Sequence, residues 1–359
     1  MIRAMPASPA ASLGVWTHTA AELPGRMPAL DRFVLAAAPG SLGHDPRWLG
    51  VLQRAFGHDV FALEARIAGH TCGYLPLALV DSLLFGRYLV SLPYLNSNGA
   101  MSTSAEVDAL LIDRAVALAD ELSAKHLELR AERRIVHPGL NGELTSKVHM
   151  RLPLPKTADE LWKGYDTKVR NQIRKGEKND FAVHWGGLDL LDPFYAVLST
   201  NMRDLGTPIY AKRLFAEILS TFPNGAELCL VKAGERPIAC AMLLHGRGIT
   251  DVPTASSLRE FNATCANMLM YRHLLDRAVE RGQATFDFGR STQDGPTFKF
   301  KKQWGALPQP AIWQYHRLGG DIGEMRPDNP KYQFLIKLWQ KLPVKLTQFV
   351  GPPIVRGIP

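Results

Sequence analysis

The chain has 359 residues, of which 46% are hydrophobic and 21% charged, as in an ordinary globular protein. Lys and Arg total 42 against 34 for Asp and Glu, and the resulting charge of +8 indicates a polyanionic partner; a basic soluble protein without one is the alternative. The four cysteines lack CxxC spacing and mostly lie in apolar runs, so they indicate neither a zinc site nor a disulfide framework. No apolar run approaches the ~20 residues that a membrane-spanning helix needs. We expect two domains in a cytoplasmic protein.

The first half of the chain predicts a leader followed by a hairpin, a helix and a strand. Pro6 and Pro9 interrupt an Ala-rich start, and we predict a disordered leader over residues 1–29. Apolar runs at 61–67 and 72–80 flank a short turn signal, which indicates a β-hairpin. Thr103 and Glu106 have capping-box spacing and predict the start of a helix, after which residues 127–130 form a strand.

The second half repeats this order. Residues 228–232 and 238–244 predict a hairpin, a helix is expected from about 264 to 281 with Gly282 ending it, and residues 286–290 form a strand. Between the halves, residues 151–156 contain paired prolines and predict a linker or edge strand, with the domain boundary near Pro155. The predicted strands at 127–130 and 286–290 each contain one carboxylate, Glu128 and Asp287 respectively. Strand alternation places this carboxylate on the sheet face opposite to its apolar neighbours.

Hairpin, crossover helix and strand follow each other as in a GNAT-like acetyltransferase unit, and the order occurs twice. We therefore predict an α/β fold with mixed sheets and two tandem GNAT-like domains, at residues 30–155 and 156–317; chance similarity of a common order is the alternative. Residues 318–359 form a C-terminal extension. Its basic amphipathic segment at 334–346 favours a packing helix, with peripheral membrane contact as the other interpretation.

Several catalytic motifs are absent from the sequence. It contains no G-x-S-x-G, no H-E-x-x-H and no G-x-x-x-x-G-K-[ST], and its eleven histidines have no metal-ligand spacing. Hydrolase, zinc-enzyme and NTPase interpretations lose support, and we predict no metal site.

Two basic clusters are candidates for binding an anion. Asp166 predicts the start of a helix over residues 168–175, on which Arg170 and Arg174 share a face suited to a phosphate or carboxylate. Residues 297–302 are predicted as an extended segment that buries Phe298 and Phe300 and turns Lys299 and Lys301 to the other face. The alternative for each cluster is a solvated surface.

Two polar loops add further candidates. Residues 201–208, with Arg203 and Asp204, end a helical stretch. Residues 92–99, with Asn96 and Asn98, precede the first predicted crossover helix, where free backbone N–H groups suit an anion. Either segment is also compatible with a simple turn.

Six segments together resemble the FemAB-like family, specifically its compact members that accompany exosortase (PEP-CTERM) and exopolysaccharide systems. These segments are SLPYLNSNGA (91–100), KVRNQIRKGEK (168–178), NMRDLGTP (201–208), ASSLREFN (255–262), FDFGRST (286–292) and FKFKKQWG (298–305). The resemblance implies tandem GNAT-like domains with a cleft between them. It also implies transfer of an amino acid from aminoacyl-tRNA to an amine of a cell-wall precursor.

The identity of the donor stays open between aminoacyl-tRNA and acyl-CoA, with no tightly bound cofactor. The chain lacks the long heptad-rich insertion that forms the helical arm of some family members. The acetyltransferase pyrophosphate pattern [QR]-x-x-G-x-[GA] is also imperfect, because Asn262 replaces the first glycine and Thr264 ends the segment that begins at Arg259.

The implied reaction assigns roles to individual residues. We expect Asp287 to accept or relay the amine proton, with Arg290 and Lys299 contacting the oxyanion or a substrate anion. The acceptor is expected to be an anionic small molecule or glycan precursor of the cell envelope or exopolysaccharide. Its predicted contacts are Arg170, Arg174, Asn96, Asn98, Arg203 and Asp204. The predicted contacts of the donor are Lys301, Lys302, Arg259 and Asn262. The alternatives are an acyl-CoA-dependent N-acyltransferase and a non-catalytic polyanion-binding module.

Overall fold

The computed structural model describes residues 12–37, 40–82, 85–317 and 330–358. In these ranges the helices are α1 (Leu23–Ala36), α2 (Trp48–Phe56), α3 (Ala105–Glu121), α4 (Ala158–Gly164), α5 (Thr167–Glu177), α6 (Leu191–Leu205), α7 (Lys212–Thr221), α8 (Ala266–Glu280), α9 (Pro296–Lys302), α10 (Pro330–Trp339) and α11 (Val344–Arg356). The strands are β1 (Gly14–Thr19), β2 (Asp59–Ile67), β3 (His70–Ser82), β4 (Gly86–Val90), β5 (Met101–Ser102), β6 (His126–Ala131), β7 (Gly142–Leu144), β8 (Lys147–Pro153), β9 (Phe181–Gly186), β10 (Ala226–Ala233), β11 (Arg236–His245), β12 (Ile249–Ser257), β13 (Thr285–Thr292), β14 (Leu307–Pro310) and β15 (Ile312–Arg317).

Two mixed sheets contain the repeated unit that the sequence predicts. The first has the strand order β1-β2-β3-β4-β6-β15-β7, with β5 paired to β3, and the second has the order β14-β8-β13-β12-β11-β10-β9. The units β2-β3-β4-α3-β6 and β10-β11-β12-α8-β13 correspond, and each ends in a parallel pair, β4 with β6 and β12 with β13. Ala68 and Gly69 make the two-residue turn of the first hairpin with positive φ angles of 51° and 80°.

The two domains exchange strands, which corrects the predicted boundary. β8 lies inside the second sheet, between β13 and β14, and β15 returns to the first sheet between β6 and β7. The chain therefore enters the second sheet at Lys147, ahead of Pro155. The prediction of a linker or edge strand at 151–156 is wrong for residues 151–153, which belong to the inner strand β8. Its two prolines do not interrupt the strand, because Pro153 is the last residue of β8 and Pro155 lies after it. The edge strand is β14, which holds Pro308 and Pro310.

The predicted leader is also partly ordered. β1 pairs antiparallel with β2, and α1 buries Leu23, Leu30 and Val34 on one face, so the prediction is wrong for residues 14–29. Residues 1–11 lie outside the described residues. At the other end, Pro343 separates α10 from α11 in the predicted basic segment. None of the helices in the described ranges is long and apolar enough to cross a membrane.

The largest apolar core lies between the two sheets. It joins Ala62 and Tyr74 of the first sheet to Leu228 and Met242 of the second, with α1, α2, α6 and α7 in the layer between them. The outer faces have their own cores, under α3 for the first sheet and under α5 and α8 for the second. Polar side chains that point inward from the second sheet are therefore enclosed between the domains.

The N-cap of α3 offers a test of this local structure. Ser104 Oγ accepts a hydrogen bond from the Val107 amide at 3.3 Å, so the helix begins one residue after the predicted Thr103. Ser104→Ala is expected to lower the free energy of unfolding by about 1 kcal/mol, because it leaves a helix N–H without its partner. Thr103→Ala is the matched control and should change it by less than about 0.5 kcal/mol in urea denaturation. Equal losses would contradict the assignment.

Candidate active site

The second sheet opens at Asp251 and Asp287. β12 and β13 pair in parallel at Ile249↔Thr285, Thr250↔Phe286 and Asp251↔Asp287 and then separate. On the other side of β13, the register with β8 shifts between Asp287 and Arg290. The two aspartates therefore lie side by side at the point where the strands diverge.

In the first sheet, the corresponding gap between β4 and β6 is filled by the loop that follows β4. The Ser91 amide donates to the Glu128 carbonyl at 2.9 Å, and Ser91 Oγ accepts from the Arg130 amide at 2.8 Å. The Asn98 amide then donates to the Arg130 carbonyl at 2.8 Å. The loop that closes the first sheet thus presents its residues 94–98 to the opening of the second.

A polar cavity of about 60 Å³ lies between this loop and the second sheet. From the first domain its lining includes Asn96 and Asn98, and from β8, β12 and β13 it includes His149, Asp251 and Asp287. Phe286 and Phe288, on either side of Asp287, are buried in the outer core, as the strand alternation predicted.

Arg151 connects the two domains through an ion-pair network at this cavity. Its Nε donates to Asp287 Oδ2 at 2.8 Å, and both Nη atoms bind the Glu132 carboxylate at 2.6 Å. Burial alone would raise the pKa of Asp287, but His149 and Arg151 hold it below its ordinary value. Asp287 is therefore an ionised, fully paired carboxylate.

Asp251 has the opposite electrostatic character. Burial, followed by the neighbouring Asp287 carboxylate, raises the pKa of Asp251 well above its ordinary value. Its Oδ2 is buried without a hydrogen-bond partner among the described residues. Asp251 thus keeps its proton to higher pH than an ordinary aspartate, and in the protonated form it can donate a hydrogen bond.

His149 and Asn98 complete the set of buried polar groups. The Nδ1 of His149 lies 3.5 Å from Asp287 Oδ2, and neither ring nitrogen has a hydrogen-bond partner in the described part of the chain. Asn98 is fully buried, and both polar atoms of its side-chain amide likewise lack a partner there. Buried groups of this kind are each destabilising by about 1–3 kcal/mol, which a bound polar ligand would offset.

Arg290 lies beside this cavity and contacts one of the predicted loop residues. Its Nε donates to Asn96 Oδ1 at 3.1 Å across 194 residues of chain, and its guanidinium stacks 3.6 Å from the Trp313 ring centre. Burial, and then the nearby Arg130, lowers the pKa of Arg290 to about 10. The structure therefore brings Asp287, Arg290, Asn96 and Asn98 together.

The lysine cluster differs from its predicted form, because residues 296–302 are the helix α9. Gly295 and Pro296 begin this helix, and Phe298 is buried while Phe300 is only half-buried. Lys301 faces inward instead of lining a ligand face: its Nζ donates to the carbonyls of Gly289 and Arg290 at 3.0 Å, and burial lowers its pKa to about 8.

The remaining predicted residues lie outside the lining of the polar cavity. Lys299 and Lys302 are exposed on α9, and Arg170 and Arg174 lie on α5, where Arg174 stacks over Trp162. A separate cluster joins Arg203, Asp204 and Arg259, whose Nη2 donates to the Asp204 carbonyl at 2.5 Å; Asn262 is exposed next to it. The binding roles predicted for these residues stay predictions.

Four residues of the site were missed in the sequence, namely Glu132, His149, Arg151 and Asp251. The segment His149-Met150-Arg151-Leu152 does alternate polar and apolar residues as a half-buried strand should, but the prolines that follow obscured this signal. Asp251 carries no local signal, since its pairing with Asp287 spans the helix α8.

The raised pKa of Asp251 predicts a pH-dependent effect of Asp251→Asn on stability. The folded state holds a proton that the unfolded chain releases above about pH 4. The contribution of Asp251 to the free energy of unfolding is therefore fully present below that pH and is lost as the pH rises. The variant should equal the wild type near pH 4 and gain stability relative to it by at most about 1.4 kcal/mol per pH unit above. Urea denaturation from pH 4 to 8 measures this, and a constant difference would contradict the prediction.

Comparison with known proteins agrees with this architecture. An acetyltransferase (GNAT) domain model matches residues 164–302. Among solved structures, FemX aligns with a TM-score of 0.62 and 15% identity over 87% of this chain and 97% of its own. The C-terminal domain of a putative lysylphosphatidylglycerol synthetase from Agrobacterium fabrum has a TM-score of 0.55 and 11% identity over 81% and 92%.

A tandem GNAT protein from the clavulanic acid biosynthesis pathway aligns with a TM-score of 0.52 and 12% identity, over 86% of this chain and 100% of its own. No curated protein sequence matches the chain significantly. The fold prediction is confirmed: the chain consists of two tandem GNAT-like domains, the second of which matches the acetyltransferase (GNAT) domain model.

Proposed function

We propose that this chain transfers an acyl or aminoacyl group from an ester or thioester to an amine, at the polar cavity between its domains. The observation that carries the proposal is that His149 Nε2, Asp251 Oδ2 and the Asn98 amide are buried, unpaired among the described residues, and grouped around one cavity. These are a proton acceptor and two hydrogen-bond donors, the groups that acyl transfer to an amine requires.

His149 acts as the general base in this proposal. The acceptor amine attacks the carbonyl carbon of the donor, a C–N bond forms, and the carbonyl electron pair moves to oxygen. The proton of the amine passes to His149 Nε2. When the intermediate collapses, the C–S or C–O bond breaks and the departing thiolate or alkoxide takes that proton, which leaves an amide and a free thiol or hydroxyl.

Asp251 and Asn98 stabilise the intermediate. The protonated Asp251 carboxyl and the Asn98 side-chain NH₂ donate hydrogen bonds to the oxygen that becomes negatively charged. Donors fixed in a water-poor cavity act strongly, because they need no reorganisation when charge develops.

Asp287 has a positioning role in place of the base role expected from the sequence. Its carboxylate is held ionised by Arg151, and its low pKa makes it a poor proton acceptor. It lies next to His149 Nδ1, where a negative charge favours the tautomer with Nε2 free and stabilises the imidazolium that forms.

Support for the substrate classes comes from two sources. The GNAT domain match favours an acyl donor, and the fold shared with FemX is compatible with an aminoacyl donor. We take the acceptor to be an amine of a cell-envelope or exopolysaccharide precursor, as the FemAB-like resemblance implies. The association with exosortase systems and the cytoplasmic location remain predictions of that resemblance and of the composition.

A simple assay tests the proposal without knowledge of the natural acceptor. The full chain is incubated with an N-acetylcysteamine thioester or with aminoacyl-tRNA, and hydroxylamine serves as the amine. We expect hydroxamate and free N-acetylcysteamine (or free tRNA) in equal amounts by mass spectrometry, faster than without protein. Salt-sensitive binding of polyanions with no turnover of either donor would overturn the proposal and favour a non-catalytic module.

A further inference from the structure

A second, apolar cavity of about 190 Å³ adjoins the polar one. Tyr94, Leu95, Leu244 and Pro253 line both cavities, so the two share a wall. The rest of the apolar cavity lies in the core between the sheets, where α2, α6 and α7 supply aliphatic and aromatic side chains such as Leu52, Met202 and Leu214.

The chemistry of this cavity suits a hydrocarbon. Among the described residues that line it, none carries a charge. The hydroxyl of Tyr94 is already paired, since it lies 2.7 Å from His58 Nε2 and donates to the Arg356 carbonyl at 2.7 Å. A wall without charged side chains offers no counter-charge to an ionic ligand and favours an apolar one.

The size of the cavity limits the length of that hydrocarbon. A cavity of about 150 Å³ lined by Leu, Ile and Phe holds six-carbon benzene. By this measure the apolar cavity holds a chain of roughly six to eight carbon atoms.

The position of the cavity indicates which substrate carries the chain. Pro253 and Thr254, which line it, belong to the part of β12 that has separated from β13 just beyond Asp251. A group bound along this part of the strand has its first carbon at the polar cavity, next to His149 and Asp251. That carbon is the carbonyl of the donor in the proposed reaction.

We propose that the transferred group is an unbranched acyl chain of about six to eight carbons, with its carbonyl in the polar cavity and its alkyl chain in the apolar one. This rests on the proposed function and narrows it to donors with an apolar chain, because a charged side chain would be buried without a counter-charge in the apolar cavity.

Binding of a series of thioesters tests the inference independently of turnover. Acyl-N-acetylcysteamine thioesters with two to ten carbons are titrated into the full chain without an amine. We expect Kd to fall about fourfold per methylene up to six or eight carbons and to level off beyond them. n-Octylamine and octyl glucoside carry the same chain on the acceptor side and should bind at least tenfold more weakly than the octanoyl thioester.

Substitutions of Met202 on α6 are expected to change the longest acyl chain that the apolar cavity can hold. It is half-buried and lines the apolar cavity but not the polar one. Met202→Phe should weaken octanoyl binding about tenfold with acetyl binding unchanged, and Met202→Ala should move the limit to longer chains. Leu205→Phe is the matched control, because Leu205 is 53% exposed on the same helix.

The outcomes separate this inference from the proposed function. Affinity that is independent of chain length, or unaffected by either Met202 variant in folded protein, would overturn the inference even if acetyl transfer occurs. Tighter binding of the octylamine or octyl glucoside than of the thioester would also overturn it, because the chain would then belong to the acceptor. Length-dependent thioester binding without transfer to any amine would support the apolar cavity as the site of the acyl chain and would overturn the proposed function.

Discussion

His149→Ala is expected to lower kcat for amide formation about 10²- to 10⁴-fold, the range associated with the loss of a positioned general base. His149 lines the polar cavity and its buried Nε2 lacks a partner among the described residues, whereas the Asp287 carboxylate beside it is already paired with Arg151. No other imidazole lines that cavity in the described ranges. The measurement is the steady-state rate of hydroxamate formation from the thioester.

The controls for this prediction separate chemistry from folding. His184→Ala removes an exposed imidazole from β9 and should leave kcat unchanged. Free imidazole should restore part of the rate of His149→Ala, because it fits the space that the substitution vacates; a purely structural role would not produce such rescue. A folded His149→Ala variant that retains kcat within threefold of the wild type would rule out His149 as the base.

Arg151→Met is expected to lower the free energy of unfolding by about 3–5 kcal/mol, the usual effect of removing one partner from a buried ion pair. Methionine keeps much of the side-chain volume but leaves Asp287 and Glu132 without the cation that binds both. The Asp287 side chain is 3% exposed, so water cannot replace the lost contact. Urea denaturation at pH 7 measures the loss.

The effect of Arg151→Met should depend on pH with a definite sign. The folded-state pKa values of Asp287 and Glu132 are both lowered, in spite of burial, by their interactions with His149 and Arg151. The contribution of these two carboxylates to stability is therefore complete above their unfolded-state pKa values of about 4. It is lost as the pH falls through their lower folded-state pKa values. The difference between wild type and variant should shrink below pH 4.

A surface ion pair provides the reference for this measurement. Lys212 binds Asp192 at 2.7 Å with both side chains largely exposed, so Lys212→Met should change stability by no more than about 1 kcal/mol. A loss for Arg151→Met as small as that of the control, or one that persists unchanged at pH 3, would show that the network does not stabilise the folded protein in the way described.

Local patterns were sufficient to predict most of the repeated unit. Both hairpins, the crossover helices and the strands with Glu128 and Asp287 have the predicted order and facing, because apolar periodicity and turn residues act over a few positions. The helix over residues 168–175 also forms, and it buries Val169 and Ile173 as expected. These features depend on neighbours in sequence.

The error at residues 297–302 has a physical explanation. Phe-Lys-Phe-Lys alternates as a strand does, but Phe298 also lies three residues before Lys301, at helical spacing. Contacts outside the segment favour the helix. Pro296 is its first residue, and the Lys301 ammonium group donates hydrogen bonds to two backbone carbonyls of β13. A buried lysine whose partners lie eleven and twelve residues earlier in a neighbouring strand is not readable from local periodicity.

The catalytic candidates were only partly predictable for a related reason. Asp287 and Asn98 belong to recognisable segments, whereas His149 becomes a neighbour of Asp287 only because β8 pairs with a strand more than 130 residues later. Strand exchange between domains has no signature in sequence periodicity. The site is therefore set by long-range pairing more than by any motif.

The exchange of β8 and β15 also determines when each domain can be completed during synthesis. The inner strands β6 and β13 each need a partner from the other half of the chain, so an N-terminal fragment ending at residue 155 would leave the edge of β6 unpaired. Unpaired edges pair readily with other chains, which makes such a fragment prone to aggregate. The two sheets are thus complete only after residue 317 has been made, and we expect the two halves to fold and unfold as one cooperative unit.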